Sequence, residues 1–158
     1  MYLEAIDLLN RLLSMIRGIM SNFKLVPELY CTDIEVTKNF YVDIFGFEIK
    51  YERIDDRFAY FILDDVRIMA EEIADGRRWL TGKMKRPFGR GINFQWDVAE
   101  IEKLYTRIKS KAPDSIYLKI ETISYQCADL VVIKRQFIAQ DPDGYLFRFC
   151  SDVTNASS

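Results

Sequence analysis

Gln140-Asp141-Pro142-Asp143-Gly144-Tyr145-Leu146-Phe147-Arg148-Phe149 reads as a turn that feeds a strand. Pro142 presets its own φ, the two aspartates can bond their own backbone, and Gly144 accepts a positive φ, so the chain reverses into an apolar run over 145–149. A turn of this kind closes a β-rich unit. The elements upstream of it show which unit.

Working back from the turn, β-rich runs at 136–139 and 117–124 precede it. Before Pro113, Ile101, Leu104, Tyr105 and Ile108 fall at i, i+3, i+4 and i+7, the spacing of one buried helix face. The segment 97–100 is placed to cap that helix, and 91–96 reads as a strand before it. This half is βαβββ. The first half has the same order: a strand over 25–31, then Thr32-Asp33-Ile34-Glu35 in capping-box form. A helix over 34–45 follows, ended by Gly46, and then strands over 48–53, 58–63 and 67–71, with Asp64-Asp65 as a hairpin turn. Two copies joined by the Gly/Lys/Arg-rich segment 75–90 form an internal duplication, which predicts an α+β fold.

The chain has 158 residues, 49% hydrophobic and 29% charged, the balance of one globular domain with a real core. A net charge of -2 gives no basic field, so nucleic acid is excluded as the main partner, and Lys83, Lys85, Arg86 and Arg90 read as a solvated loop. Cys31, Cys127 and Cys150 are odd in number and far apart. No disulfide framework or zinc knuckle follows from them, and reduced thiols in a cytoplasmic protein are expected. The chain contains no histidine, which removes any Cys-His nucleophile and the commonest metal ligand.

Ahead of the first module, Tyr2, Ile6, Leu9, Leu13, Ile16, Met20 and Phe23 recur every three to four residues, the period of an amphipathic helix. Glu4, Asp7, Arg11 and Arg17 interrupt any run of the ~20 apolar residues needed to span a membrane. The expectation is a helical extension over 1–23, with Met20 as an alternative start, a domain over 24–152 with modules at about 24–74 and 90–152, and a tail over 153–158. The apolar stripe has to dock on its own domain, on a second subunit or on a membrane surface.

Leu25-Val26-Pro27-Glu28-Leu29, Asp33, Phe40-Tyr41 and Phe45-Gly46-Phe47 resemble the opening module of bleomycin-resistance-type proteins. They are of the vicinal-oxygen-chelate superfamily, which also holds glyoxalases and ring-cleaving dioxygenases. Residues 87–94 and 136–149 resemble its second module, so the resemblance covers about 24–152. It implies two βαβββ modules forming one incomplete-barrel mixed sheet, with helices outside and a concave pocket inside. Metal-dependent members place four ligands on the inner face. By position these are Val26, Glu71 (with Glu72 an equal match), Asn93 and Arg148 here. Valine cannot donate, asparagine is a weak oxygen donor, and arginine puts a permanent positive charge in the cation's place. No metal and no cofactor are therefore expected.

Period-two geometry selects the residues that share that inner face: Gln95 with Asn93, Glu28 and Tyr30 with Val26, Met69 with Glu71, and Leu146 with Arg148. Trp79, in the linker, is placed to cover a groove at a subunit boundary, and Tyr125 falls where relatives carry a Trp-Tyr pair near the pocket. The candidate ligand-binding set is Glu28, Tyr30, Met69, Glu71, Trp79, Asn93, Gln95, Tyr125 and Arg148. The resemblance implies a homodimer that binds or sequesters an antibiotic-like small molecule without a metal. The competing class is a lyase or isomerase, with Glu71 or Glu28 as general base and Arg148 holding an anion. The bland alternative for these residues is that Arg148, Glu28 and Glu71 only pair with one another, and a third class is a pure interaction or scaffold domain whose cup is filled by its own side chains.

Overall fold

The computed structural model describes residues 25–74 and 80–153. The first strand, β1 (Glu28–Cys31), begins just after Pro27, whose carbonyl accepts from Met69 N–H at 2.8 Å. Helix α1 (Ile34–Phe40) starts at Asp33, whose carboxylate accepts from the Glu35 and Val36 N–H groups at 2.9 and 3.1 Å. The N-cap is thus Asp33 rather than the Thr32 expected from the capping-box pattern. Thr32 instead gives its N–H and hydroxyl to Asp143, 3.1 and 2.7 Å away in the other module. The helix continues through a π-helical turn (Tyr41–Phe45) and stops at Gly46, whose φ of 90° favours glycine.

Strands β2 (Glu48–Arg53), β3 (Phe58–Leu63) and β4 (Val66–Glu72) complete a sheet of order β1-β4-β3-β2, with β1 parallel to β4 and the other pairs antiparallel. The second module repeats this. It consists of β5 (Asn93–Asp97), helix α2 (Ile101–Lys111), a 3-10 turn (Pro113–Ser115), β6 (Ile116–Cys127), β7 (Leu130–Gln140) and β8 (Leu146–Asp152), in the order β5-β8-β7-β6. The α+β class and the two βαβββ modules are those expected, and the incomplete barrel consists of two separate four-stranded sheets. The cap expected from 97–100 has no side-chain bond: α2 starts at Glu100, and that carboxylate pairs with Lys103.

Both sheets close on one apolar cluster. From the first come Leu29, Ala59, Phe61, Ile68 and Ala70, from the second Trp96, Phe137, Phe147 and Phe149, and from the helical segments Tyr41, Phe45, Ile101 and Ile108. Phe45 meets Phe147, Phe149 and Trp96 with ring centroids 5.1, 5.5 and 6.0 Å apart. Phe47, beside the edge strand farthest from β1, reaches Trp96 on β5 at 5.1 Å. That contact requires the two sheets to stand face to face across the helical layer; an edge-to-edge join of β1 and β5 would hold Phe47 and Trp96 at least a sheet's width apart. Arg107 on α2 ties the layer together by donating to the Phe45 carbonyl at 2.7 Å.

The motif at 140–149 acts as the seam between modules. Asp141 Oδ1 accepts from the N–H groups of Asp143, Gly144 and Tyr145 at 3.0, 2.8 and 2.8 Å. The Tyr145 hydroxyl donates to the Tyr30 carbonyl at 3.1 Å. Gly144, at φ 98°, lies so close to the 87–89 loop that a Cβ would stand 2.3 Å from Pro87 Cβ. The extension expected over 1–23 lies outside the described residues. Among the described residues no helix is long and apolar enough to cross a membrane.

Candidate functional site

With the apolar faces of the two sheets turned to a shared core, alternation along each strand puts the remaining side chains on two outer faces that look away from each other. On the first sheet, Tyr30 stands opposite Glu71 in the β1/β4 register and Glu28 opposite Met69. Phe58 and Tyr60 of β3 extend the same face. Glu71 is 2% exposed and Tyr30 9%. Four candidates, Glu28, Tyr30, Met69 and Glu71, thus make one patch.

On the second sheet, Asn93 pairs with Leu146 and Gln95 with Arg148 in the β5/β8 register, while Gln136 and Ile138 continue the face on β7. Two depressions lie along it. One, of about 470 Å³, has Asn93, Leu146, Gln140 and Tyr117 facing the 87–92 loop. Next to it is a cleft of about 280 Å³ lined by Gln95, Tyr125, Val132, Lys134, Gln136, Arg148 and the thiols of Cys127 and Cys150. Gln95, Tyr125 and Arg148 therefore meet in one cleft, with Asn93 in the adjoining one. Trp79 lies outside the described residues.

Among the described residues, the cleft combines a fixed polar relay with a charge that has no counter-ion. The Tyr125 hydroxyl donates to Gln136 Oε1 at 2.8 Å, and Gln136 Nε2 donates to Glu121 at 2.8 Å, so this buried amide is satisfied at both ends. Lys134 is neutralised by Asp152 at 2.8 Å and Asp97 at 3.5 Å. Arg148 Nη2 donates to Gln95 Oε1. Its Nε is buried and, among the described residues, has no hydrogen-bond partner. Burial pushes the Cys150 thiol upward, against the pull of Arg148, so it stands as a neutral wall rather than a nucleophile.

Glu28 and Glu71 stand on the first sheet and Arg148 on the second. The positions that the resemblance assigns to a metal hold Val26, Glu71, Asn93 and Arg148. The guanidinium occupies the face beside Asn93, and this donor set does not fit a divalent cation. Among the described residues no three His, Cys, Asp or Glu side chains converge as ligands.

Gln136, Val132 and Lys134 were not found from the sequence. All three share one face of β7, which runs eleven residues past its turn, pairing with β6 at Val132 and with β8 from Lys134 to Gln140. Stepping from Arg148 to Cys150 by period two, then across to Gln136, would have found the buried amide once that register was known.

The family model described as Glyoxalase/Bleomycin resistance protein/Dioxygenase superfamily matches residues 25–149. No curated protein matches the chain. Among solved structures, a glyoxalase/bleomycin resistance protein/dioxygenase superfamily member from Vibrio splendidus 12B01 is 50% identical, over 80% of this chain and 95% of that one, with a TM-score of 0.38. A glyoxalase/bleomycin resistance protein/dioxygenase from Alicyclobacillus acidocaldarius is 17% identical, over 85% and 95%, with a TM-score of 0.60. An integron cassette protein from the mobile metagenome of V. cholerae is 15% identical, over 80% and 91%, with a TM-score of 0.56.

Proposed function

The chain belongs to the glyoxalase/bleomycin resistance protein/dioxygenase superfamily, and from that membership we propose that it binds or sequesters an antibiotic-like small molecule without a metal. The observation that carries this is the cleft over the second sheet, where Val132, the Tyr125 ring and two thiols line the floor and Gln95, Gln136 and Arg148 supply a few placed polar groups. Such a mixture orients a polar ligand on an apolar wall. Binding of this kind needs no chemistry at a metal, which agrees with a donor set that would not hold one.

The proposal includes a homodimer in which the first-sheet face of one copy covers the second-sheet face of the other. At about 280 Å³ the cleft in one chain is small beside ligand pockets of roughly 300–1,000 Å³. Exposed apolar residues stand at both ends of the β6–β7 hairpin, Tyr117 at its base and Leu130 and Val131 at its tip, surface of the kind that a partner covers. The domain over 24–152 is taken to be sufficient for this arrangement, with 1–23 an appended segment. A cytoplasmic setting agrees with three free thiols.

The test is a thermal-shift screen of a compound library against the wild-type protein and Val132→Trp, which fills the cleft. A ligand at about 100 times its Kd adds ~2.7 kcal/mol of stability. Hits from one chemical class that stabilise the wild type and not the filled variant support the proposal. Equal stabilisation of both would place binding elsewhere and defeat it.

A further inference from the structure

Within one chain, and among the described residues, Arg148 is a cation without an anion. It is partly buried at the floor of the cleft, and among the described residues its one bonded partner is the neutral amide oxygen of Gln95. A neutral acceptor solvates a guanidinium but does not neutralise it, and desolvating an unpaired charge is costly. The neighbouring cation is in the opposite state, because Lys134 has both Asp152 and Asp97. Gln136 is neutral as well, and its amide is bonded to Tyr125 and Glu121, so it does not balance the charge.

The unmet donor has a direction. Nε of Arg148 is shielded from solvent and unpartnered, while Nη2 is held by Gln95, a side chain exposed enough to turn away at little cost. The Nε and Nη edge of a guanidinium is the side that matches two oxygens of a planar or tetrahedral oxyanion in bidentate fashion. The Tyr125 ring and Val132 line the same cleft and provide an apolar wall for the body carrying that group.

Resting on the small-molecule reading of this cleft, we propose that Arg148 is the anchor for an oxyanion, a carboxylate or phosphate carried on a compact apolar or aromatic body. Gln95 serves as its place-holder and is displaced when the ligand binds.

The probes are benzoate, phenyl phosphate and the neutral benzamide, titrated into ¹⁵N-labelled full-length protein and followed at the Arg148 Nε–H signal and at the side-chain amide of Gln136. The expected result is that an anion moves the Arg148 signal and binds at least about tenfold more tightly than benzamide, with the stronger of the two anions identifying the group. Arg148→Gln should weaken that anion at least about tenfold, and Arg148→Lys by less, since it keeps the charge and loses the fork. Both variants are checked for wild-type circular dichroism. Anions that bind no better than benzamide, an unmoved Arg148 signal, or Arg148→Gln binding benzoate as the wild type does would each overturn the anchor. The small-molecule reading fails separately, if the library hits stabilise Val132→Trp as well as the wild type.

Discussion

Tyr41 donates its hydroxyl to Asp141 across 2.8 Å in the buried centre of the molecule, joining the helical segment of the first module to the turn of the second. The tyrosine is fully buried and its ring also touches Phe61 of one sheet and Phe147 of the other, at 5.1 and 5.8 Å. Removing only the hydroxyl leaves these ring contacts and deletes the bond. Tyr41→Phe is expected to lower the unfolding free energy by about 1–3 kcal/mol, read from urea denaturation. A variant as stable as the wild type would show that the two modules do not depend on this link.

The same aspartate gives the fold a pH dependence. Burial pushes the Asp141 carboxyl up to about 6, while the backbone N–H of Tyr145, the Tyr41 hydroxyl and the N–H of Asp143 pull it down. Because the folded value lies above the ordinary 3.8, the folded state holds the proton more tightly than the unfolded chain. The contribution of this group to stability is therefore full below about 3.8 and lost as pH rises through about 6. Urea unfolding of the wild type and Asp141→Asn, compared across this window, should show the wild type losing ground to the variant as pH rises. A difference independent of pH would mean that the hydrogen-bond donors cancel the effect of burial, and a wild type that gains on the variant as pH rises would mean that they outweigh it.

Much of the fold was legible because the core residues repeat at the period of their element. The β3 boundaries follow directly from an apolar and aromatic run between turn residues; the helix over 34–45 follows from the spacing of Val36, Phe40 and Ile44, although the face it buries is Ile34, Thr37, Tyr41 and Phe45 and Val36 stays exposed. The hairpin of β6 and β7 is longer than its sequence signal, Ile116–Cys127 and Leu130–Gln140 against the expected 117–124 and 136–139. Its outer half is largely exposed, so burial imposes no alternation there, and it turns at Ala128, φ 51°, without a glycine to mark it. The site was half legible for the same reason. Gln95 and Arg148 follow from alternation within single strands, whereas Gln136 and Val132 depend on cross-strand registers that no single strand encodes.

The two-copy cup makes a prediction that a single-chain cup does not. Met69→Lys damages the first-sheet face, Val132→Trp fills the second-sheet cleft, and each homodimer should fail to bind a screened ligand. Mixed and refolded together, they should regain binding, because each heterodimer assembles one cup from the undamaged face of each chain. Binding that stays absent in a mixture shown by native mass spectrometry to contain heterodimer would contradict a cup shared between chains.

The measurement that bears most directly on metal-independent binding is a calorimetric titration of a screened ligand into protein dialysed against a strong chelator, with elemental analysis of the same sample. The account predicts no stoichiometric transition metal before or after chelation, one ligand per cleft, and an affinity unchanged by the treatment. About one zinc, nickel, iron or manganese per chain retained through ordinary dialysis, with binding lost when the chelator removes it, would contradict it.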